Sequence, residues 1–229
     1  MTVLGIVPAR GGSKGVPGKN IRPLAGRPLL EYTARAAQAS GAIDRLILST
    51  DSPEIADAGR RAGLEVPFLR PAALAQDDTP MLAVLRHAID ALDDAGWKPE
   101  VIVLLQPTSP LRRPEHIREA VERLRRTGAD SVVTVVEIPR HLSPDYVMRL
   151  EDGRLRPFLA EGARVTRRQD ARPAYSRDGT VYAFRRATLD RFGSIYGEDC
   201  RPLIIDPADS LSIDSPADWA AAERLLTQR

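Results

Sequence analysis

The sequence predicts an α/β protein: a mostly parallel sheet with helices on both faces. Two observations predict it. Short apolar runs alternate with stretches whose apolar residues recur at helical spacing, up to Glu137. That alternation is the mark of βαβ units. A loop rich in glycine and cations also leaves the carboxyl end of the first run. In open parallel sheets, ligands bind at that end of the strands.

The elements follow in order. Residues 3–8 form a short apolar strand, and residues 29–39 a helix. A second strand covers 45–50, and a helix follows over 53–62. Residues 66–69 are expected to be a third strand. Residues 79–95 carry Leu82, Leu85, Ala88, Ile89 and Leu92 on one helical face. The run 101–105 is apolar throughout and reads as a buried strand. A helix is expected over 114–126 and a strand over 131–137. The pattern then breaks. Residues 138–178 are rich in Arg and Pro and read as an inserted arm, because sheet patterning resumes afterwards. Strands are expected at 179–184 and 203–206, and a helix at 216–226. Ser215 caps that last helix, with Pro216 at its first position and Asp218 in its first turn. The 229 residues are therefore one domain carrying an arm.

Composition excludes several classes. A formal charge of +2 spread along the chain gives no footprint for nucleic acid. No run of 18 apolar residues exists to span a membrane. The first apolar run is too short for a signal-peptide core, so a cytoplasmic protein is expected. Cys200 is the only cysteine, so no intramolecular disulfide forms; it lacks a paired histidine and is not read as a nucleophile. His87, His116 and His141 sit away from other ligating residues and read as incidental.

The loop at residues 10–20 is the richest in chemistry. It holds Gly11, Gly12, Gly15 and Gly18 with Arg10, Lys14 and Lys19. Glycines let backbone approach a ligand closely, and successive N–H groups cradle an anion. The chain has 33 basic residues, of which three are Lys, and two of the three lie here. Lys is a compact point charge and Arg a planar fork, so they are not interchangeable at a phosphate. The single Asn, Asn20, ends the loop. Neither a Walker A spacing nor Gly-x-Gly-x-x-Gly is present. The loop thus binds a polyphosphate by another pattern or is a flexible surface turn.

The loop, with Lys19-Asn20-Ile21-Arg22-Pro23-Leu24, resembles the start of the acylneuraminate (sialic acid) cytidylyltransferases. The resemblance continues through Ser49-Thr50-Asp51, Phe68-Leu69-Arg70-Pro71, Leu74-Ala75-Gln76-Asp77-Asp78-Thr79 and Leu105-Gln106-Pro107-Thr108-Ser109-Pro110-Leu111-Arg112. It returns at Arg167-Arg168-Gln169-Asp170, Gly179-Thr180-Val181-Tyr182 and Ser212-Ile213-Asp214. The family implies a Rossmann-like nucleotidyltransferase sheet, and a reaction in which CTP and a nonulosonic acid give a CMP-sugar and pyrophosphate with Mg2+ or Mn2+. It also implies a homodimer, the arm crossing to the neighbouring subunit.

By that resemblance, the CTP-binding residues are Ala9, Arg10, Ser13, Lys14, Lys19, Asn20 and Arg70. Arg10 and Lys19 are the catalytic cations. Gln106 and Arg168 bind the acceptor, and Asp214 binds the metal. Without the resemblance, Gln106 reads equally as a loop residue, Arg168 as part of a solvated basic run and Asp214 as a helix cap. Thr108, Ser109 and Arg112 are expected to shape the turn and cap the next helix. Three departures stand out: Ser212 replaces the first acid of an Asp-x-Asp pair, Met81 replaces Ser, and Ser176-Arg177-Asp178-Gly179 replaces Arg-x-Asn-Gly. Asp206 or Asp209 could compensate for Ser212. The departures leave other acceptors open, such as 3-deoxy-octulosonate or a phosphonate, as well as a non-catalytic CTP-binding protein.

Overall fold

The computed structural model describes residues 1–165 and 167–228; the side chains of residues 163, 164 and 168 lie outside that description. The chain opens with β1 (Val3–Pro8), then the 10–20 loop, then a small hairpin of β2 (Pro23–Leu24) and β3 (Arg27–Pro28). Its two turn residues, Ala25 and Gly26, both have positive φ, 44° and 83°. That is the turn whose twist matches a hairpin. Next come α1 (Leu29–Ser40), β4 (Arg45–Ser49), α2 (Pro53–Arg61), α3 (Met81–Asp94), β5 (Val101–Leu104), α4 (Pro114–Thr127) and β6 (Ser131–Glu137). A separate hairpin of β7 (Met148–Glu151) and β8 (Arg154–Pro157) follows. The chain re-enters the main sheet with β9 (Tyr175–Arg185), then α5 (Arg186–Phe192), β10 (Cys200–Ile204) and α6 (Pro216–Thr227).

The main sheet has six strands in the order β10-β6-β9-β5-β1-β4. β1 runs parallel to β4 and β5, and β10 parallel to β6. β9 runs antiparallel between β5 and β6. Alternate side chains of β1 feed two cores, as the pleat requires. Val3 and Val7 pack with Leu30, Ile55, Ile117 and Leu124 from α1, α2 and α4. Leu4 and Ile6 pack with Leu85, Ile89 and Leu92 of α3 and with Phe184. Both faces are thus covered, as the apolar runs predicted.

A third cluster matters most for the site. Val16 of the loop packs with Leu24, Leu29, Ile213, Trp219 and Ala222. The loop is therefore anchored by a buried valine against the segment that precedes α6. No helix among the described residues is long and apolar enough to cross a membrane.

Several expectations are corrected. Residues 66–69 form no strand; only an isolated bridge from Ile47 to Glu65 exists there. Pro67 lacks the N–H a ladder needs, and Leu69 is half exposed. The strand expected at 203–206 lies at Cys200–Ile204 instead. β9 begins at Tyr175, four residues inside the expected arm. The short helix α5 and the β7–β8 hairpin were not anticipated. Ser215 does cap α6: its hydroxyl accepts from Asp218 N at 3.3 Å, and the Asp218 carboxylate accepts from Ser215 N at 2.7 Å.

Candidate active site

A cavity of about 340 Å³ opens at the carboxyl ends of β1 and β5. Its lining includes eight of the ten residues singled out from the sequence: Arg10, Ser13, Lys14, Lys19, Asn20, Arg70, Gln106 and Asp214. Ala9 lies beneath it, buried in the core, its N–H donating to Ser49 O. The Arg168 side chain falls outside the described residues.

Short tethers hold the loop. Gly11 N donates to Asp51 Oδ1 at 3.0 Å, so Asp51 pins its first turn. The Asn20 side-chain amide donates to Arg10 O at 2.9 Å and closes the loop end to end. Gly15 presses backbone against backbone: a Cβ there would sit 2.0 Å from Asp214 O. Lys19 is mostly buried, with Nζ donating to Ile213 O at 2.9 Å and lying 3.7 Å from Asp214 Oδ1. Burial pushes its amine below the ordinary lysine value, against the opposing pull of Asp214. The loop and Asp214 thus form one structural unit.

Arg10 and Lys14 share an anion of the protein's own. Arg10 lies 2.6 Å from Asp77 Oδ1, and Lys14 pairs with the other oxygen. Hydrogen bonds from Lys14 and Arg10 hold the Asp77 carboxyl below the usual range. The sequence motif around Asp77 assigns this residue no role. Its proximity to the loop has no local signal, since 63 or more residues separate the partners. Asp77 thus fills an anion position between two cations of the loop.

Arg70 is buried, its guanidinium donating to Ser49 O at 2.9 Å and Leu74 O at 3.3 Å. Its Nε has no partner among the described residues. Burial lowers its pKa, with Asp51 opposing. Met81 lines the cavity beside it and adds an apolar wall.

Gln106 follows β5 and lines the same cavity. Its side-chain oxygen is so close to Gly179 that a Cβ there would lie 2.8 Å away. Thr108 O accepts from Ile213 N at 2.9 Å, joining the β5 loop to the Asp214 segment. Arg112 does not cap α4; Arg113 occupies the position before that helix. Arg112 instead turns inward and is buried.

Asp214 is the exposed acid of the site, its side chain 74% accessible. Its Oδ2 accepts from Ser212 Oγ at 2.9 Å. Ser212 therefore orients the carboxylate that is present. Asp206 and Asp209 do not replace the missing acid. Asp206 accepts from Ala208 N, capping a short turn. Asp209 is buried 3.0 Å from Arg113 and 3.6 Å from His116. Among the described residues no group of three or more His, Cys, Asp or Glu could hold a metal. Asp214, an exposed carboxylate beside the cationic loop, fits a hard divalent cation that takes its remaining oxygens from other ligands and water.

Comparison with known proteins gives a consistent picture. A cytidylyltransferase family model matches residues 4–211. A CMP-N,N'-diacetyllegionaminic acid synthase of Legionella pneumophila subsp. pneumophila is 36% identical over 229 residues, covering 99% of this chain and 97% of that protein. An N-acylneuraminate cytidylyltransferase of Streptococcus agalactiae is 32% identical over 216 residues; the match spans 93% of this chain and 51% of the longer protein. A solved CMP:2-keto-3-deoxy-manno-octonic acid synthetase, complexed with CTP, superposes with a TM-score of 0.75 at 17% identity, covering 100% of this chain and 99% of that one. The last likeness concerns the fold.

Proposed function

This chain belongs to the cytidylyltransferase family, and from that premise we propose that it couples CTP to a sialic-acid-like nonulosonic acid, releasing pyrophosphate. It is a nucleotidyltransferase. The carrying observation is one cavity lined together by the cationic loop, Asp214 and Gln106. The 36% identity to a legionaminic acid synthase over 99% of this chain supports the acceptor class.

The chemistry follows from the placement. The acceptor's anomeric hydroxyl attacks the α-phosphorus of CTP. The bond to the β-phosphate oxygen breaks, and the hydroxyl proton passes to solvent. Charge in such a transition state lies on phosphoryl oxygens, so positioning and electrostatic stabilisation do most of the catalysis. Arg10, Lys14 and the loop N–H groups hold the triphosphate, displacing Asp77. Lys19, fixed by Ile213 O, faces the developing charge. Asn20 and Arg70 lie toward the nucleoside, and Gln106 hydrogen-bonds the acceptor, with Arg168 a candidate for its carboxylate. Asp214 would hold Mg2+, or Mn2+, whose charge would neutralise phosphate oxygens when bound.

The protein acts as a cytoplasmic homodimer in this reading. Leu142, Val147, Met148, Leu150, Leu155 and Phe158 are exposed apolar residues of the 138–174 segment, which supports a second copy packing there. Pyrophosphate release with CTP, Mg2+ and a panel of acids tests the proposal. Turnover with N-acylneuraminate or diacetyllegionaminate is expected. Turnover solely with 3-deoxy-octulosonate or a phosphonate would overturn the acceptor assignment. Tight CTP binding without turnover on any acid would overturn the enzymatic reading.

A further inference from the structure

Arg112 is a buried guanidinium that the chemistry above does not use. It is 5% exposed. Its partners among the described residues are all uncharged. Nε donates to Thr180 O at 2.6 Å, one terminal nitrogen to Gln106 O at 2.7 Å and the other to Thr33 Oγ1 at 2.7 Å. A buried charge without a touching counter-charge is costly, and an apolar side chain of similar size would pack there at less expense. Burial pushes its pKa down to about 9, with Asp178 opposing. It therefore stays charged at neutral pH. The three acceptors belong to three elements: the loop after β5, the strand β9, and α1. A planar fork can reach all three at once, whereas an ammonium cannot with the same geometry.

What lies between two of those acceptors is informative. Gln106 and Thr180 flank Gly179, which has φ +82° and leaves room for the Gln106 side-chain oxygen. A slip of either backbone would close that gap or swing the amide away. We propose that Arg112 is a positioning residue for the acceptor, fixing the β5 loop against β9 so that the Gln106 amide faces the cavity. This rests on the reading that Gln106 binds the acceptor. Arg112 touches neither substrate; it acts through the Gln106 main chain.

The test uses Arg112→Met, Arg112→Lys, Gln106→Ala and the double variant Arg112→Met/Gln106→Ala. In Arg112→Met the acceptor KM is expected to rise by about tenfold or more, while the CTP KM stays within about twofold, as misplacement of one binding group predicts. Arg112→Lys, which keeps the charge but loses the fork, is expected to fall between wild type and Arg112→Met. The double variant is expected to be no worse than Gln106→Ala, because groups acting as a unit are not additive. Amide hydrogen exchange of the ligand-free protein reads positioning directly. Exchange at residues 105–109 and 179–181 should quicken in Arg112→Met, with residues 11–20 unchanged. Unchanged exchange there, additive loss in the double variant, or a parallel rise in both KM values would overturn the proposal. Faster local exchange with an unmoved acceptor KM in Gln106→Ala would instead overturn the acceptor placement and keep the clamp. If Arg112→Met fails to fold, Arg112→Lys carries the same exchange and KM criteria.

Discussion

The two walls of the cavity are built by different means. The wall proposed for the nucleotide is built on backbone: a glycine loop whose turns are pinned by Asp51 and Asn20, and whose middle lies against the carbonyl of Asp214. Two of its cations, Arg10 and Lys14, are met by one carboxylate, Asp77. The wall proposed for the acceptor relies on a side chain: Gln106 stands on a loop tied by the buried Arg112. A wall set by side chains can change its ligand with a few substitutions, which suits the departures at 176–178.

The largest effect should come from the charge at the centre of the nucleotide wall. Lys19→Ala is expected to lower kcat by on the order of a hundredfold or more in a pyrophosphate-release assay, the usual loss when an aligned charge-stabilising group is removed. A rate near wild type would remove Lys19 from the chemistry.

A pair of glycine substitutions separates the walls. Gly15→Ala places a methyl against the Asp214 carbonyl and must shift the loop or that segment. A stability loss of roughly 1–3 kcal/mol is expected, as for other overpacked sites, with weaker CTP binding and a higher Mg2+ requirement. Gly179→Ala meets a side-chain oxygen at positive φ instead. It should cost about 1–2 kcal/mol and raise the acceptor KM alone. Denaturant unfolding and substrate titrations check both. If each variant moved both KM values equally, the two walls would not be independent.

Asp77→Asn should act in the opposite direction. Removing the resident anion frees Arg10 and Lys14, so CTP is expected to bind roughly two- to fivefold tighter at low salt, the range of an exposed ion pair. The gain should vanish near 1 M salt, where screening reaches about 3 Å. Weaker binding by calorimetry would mean that Asp77 holds the cations in place for CTP.

The smallest effect concerns the support behind the acceptor wall. Burial lowers the His116 pKa from 6.5, against the pull of Asp209, which lies 3.6 Å away. The folded state therefore takes up its proton at lower pH than the unfolded chain. Stability from this group is complete above 6.5 and falls as pH drops below it. His87, lowered chiefly by burial as well, adds a slope of the same sign. Urea midpoints measured above and below that value should show the decline, and His116→Gln should flatten part of it.

Much of the fold was legible because it is locally encoded. β1 matches its expected bounds, and α1, α2, α3 and α4 lie within two residues of theirs. Pro216 with Ser215 before it marks the start of α6 from the sequence alone, and Ser52 caps α2 in the same way, accepting from Ile55 N at 3.3 Å. The failures are local too. Residues 66–69 looked like a strand, yet Pro67 and a half-exposed edge leave them unpaired. The β7–β8 hairpin exposes all of its residues but Pro157, so it shows little of the alternation that marks a half-buried strand.

By itself the sequence determined the α/β pattern, the glycine and cation loop, and the eight cavity residues that carry recognisable motifs. Tertiary structure alone decided what those residues do to one another: Lys19 against Ile213, Asp77 between Arg10 and Lys14, Gly15 under Asp214, and Arg112 behind Gln106. The physical reason is range. Periodicity, capping and turn chemistry act over a few residues, whereas the bond from Lys19 to Ile213 spans 194 positions. Such a contact exists because the sheet brings strand ends together, and no local pattern in the chain records it.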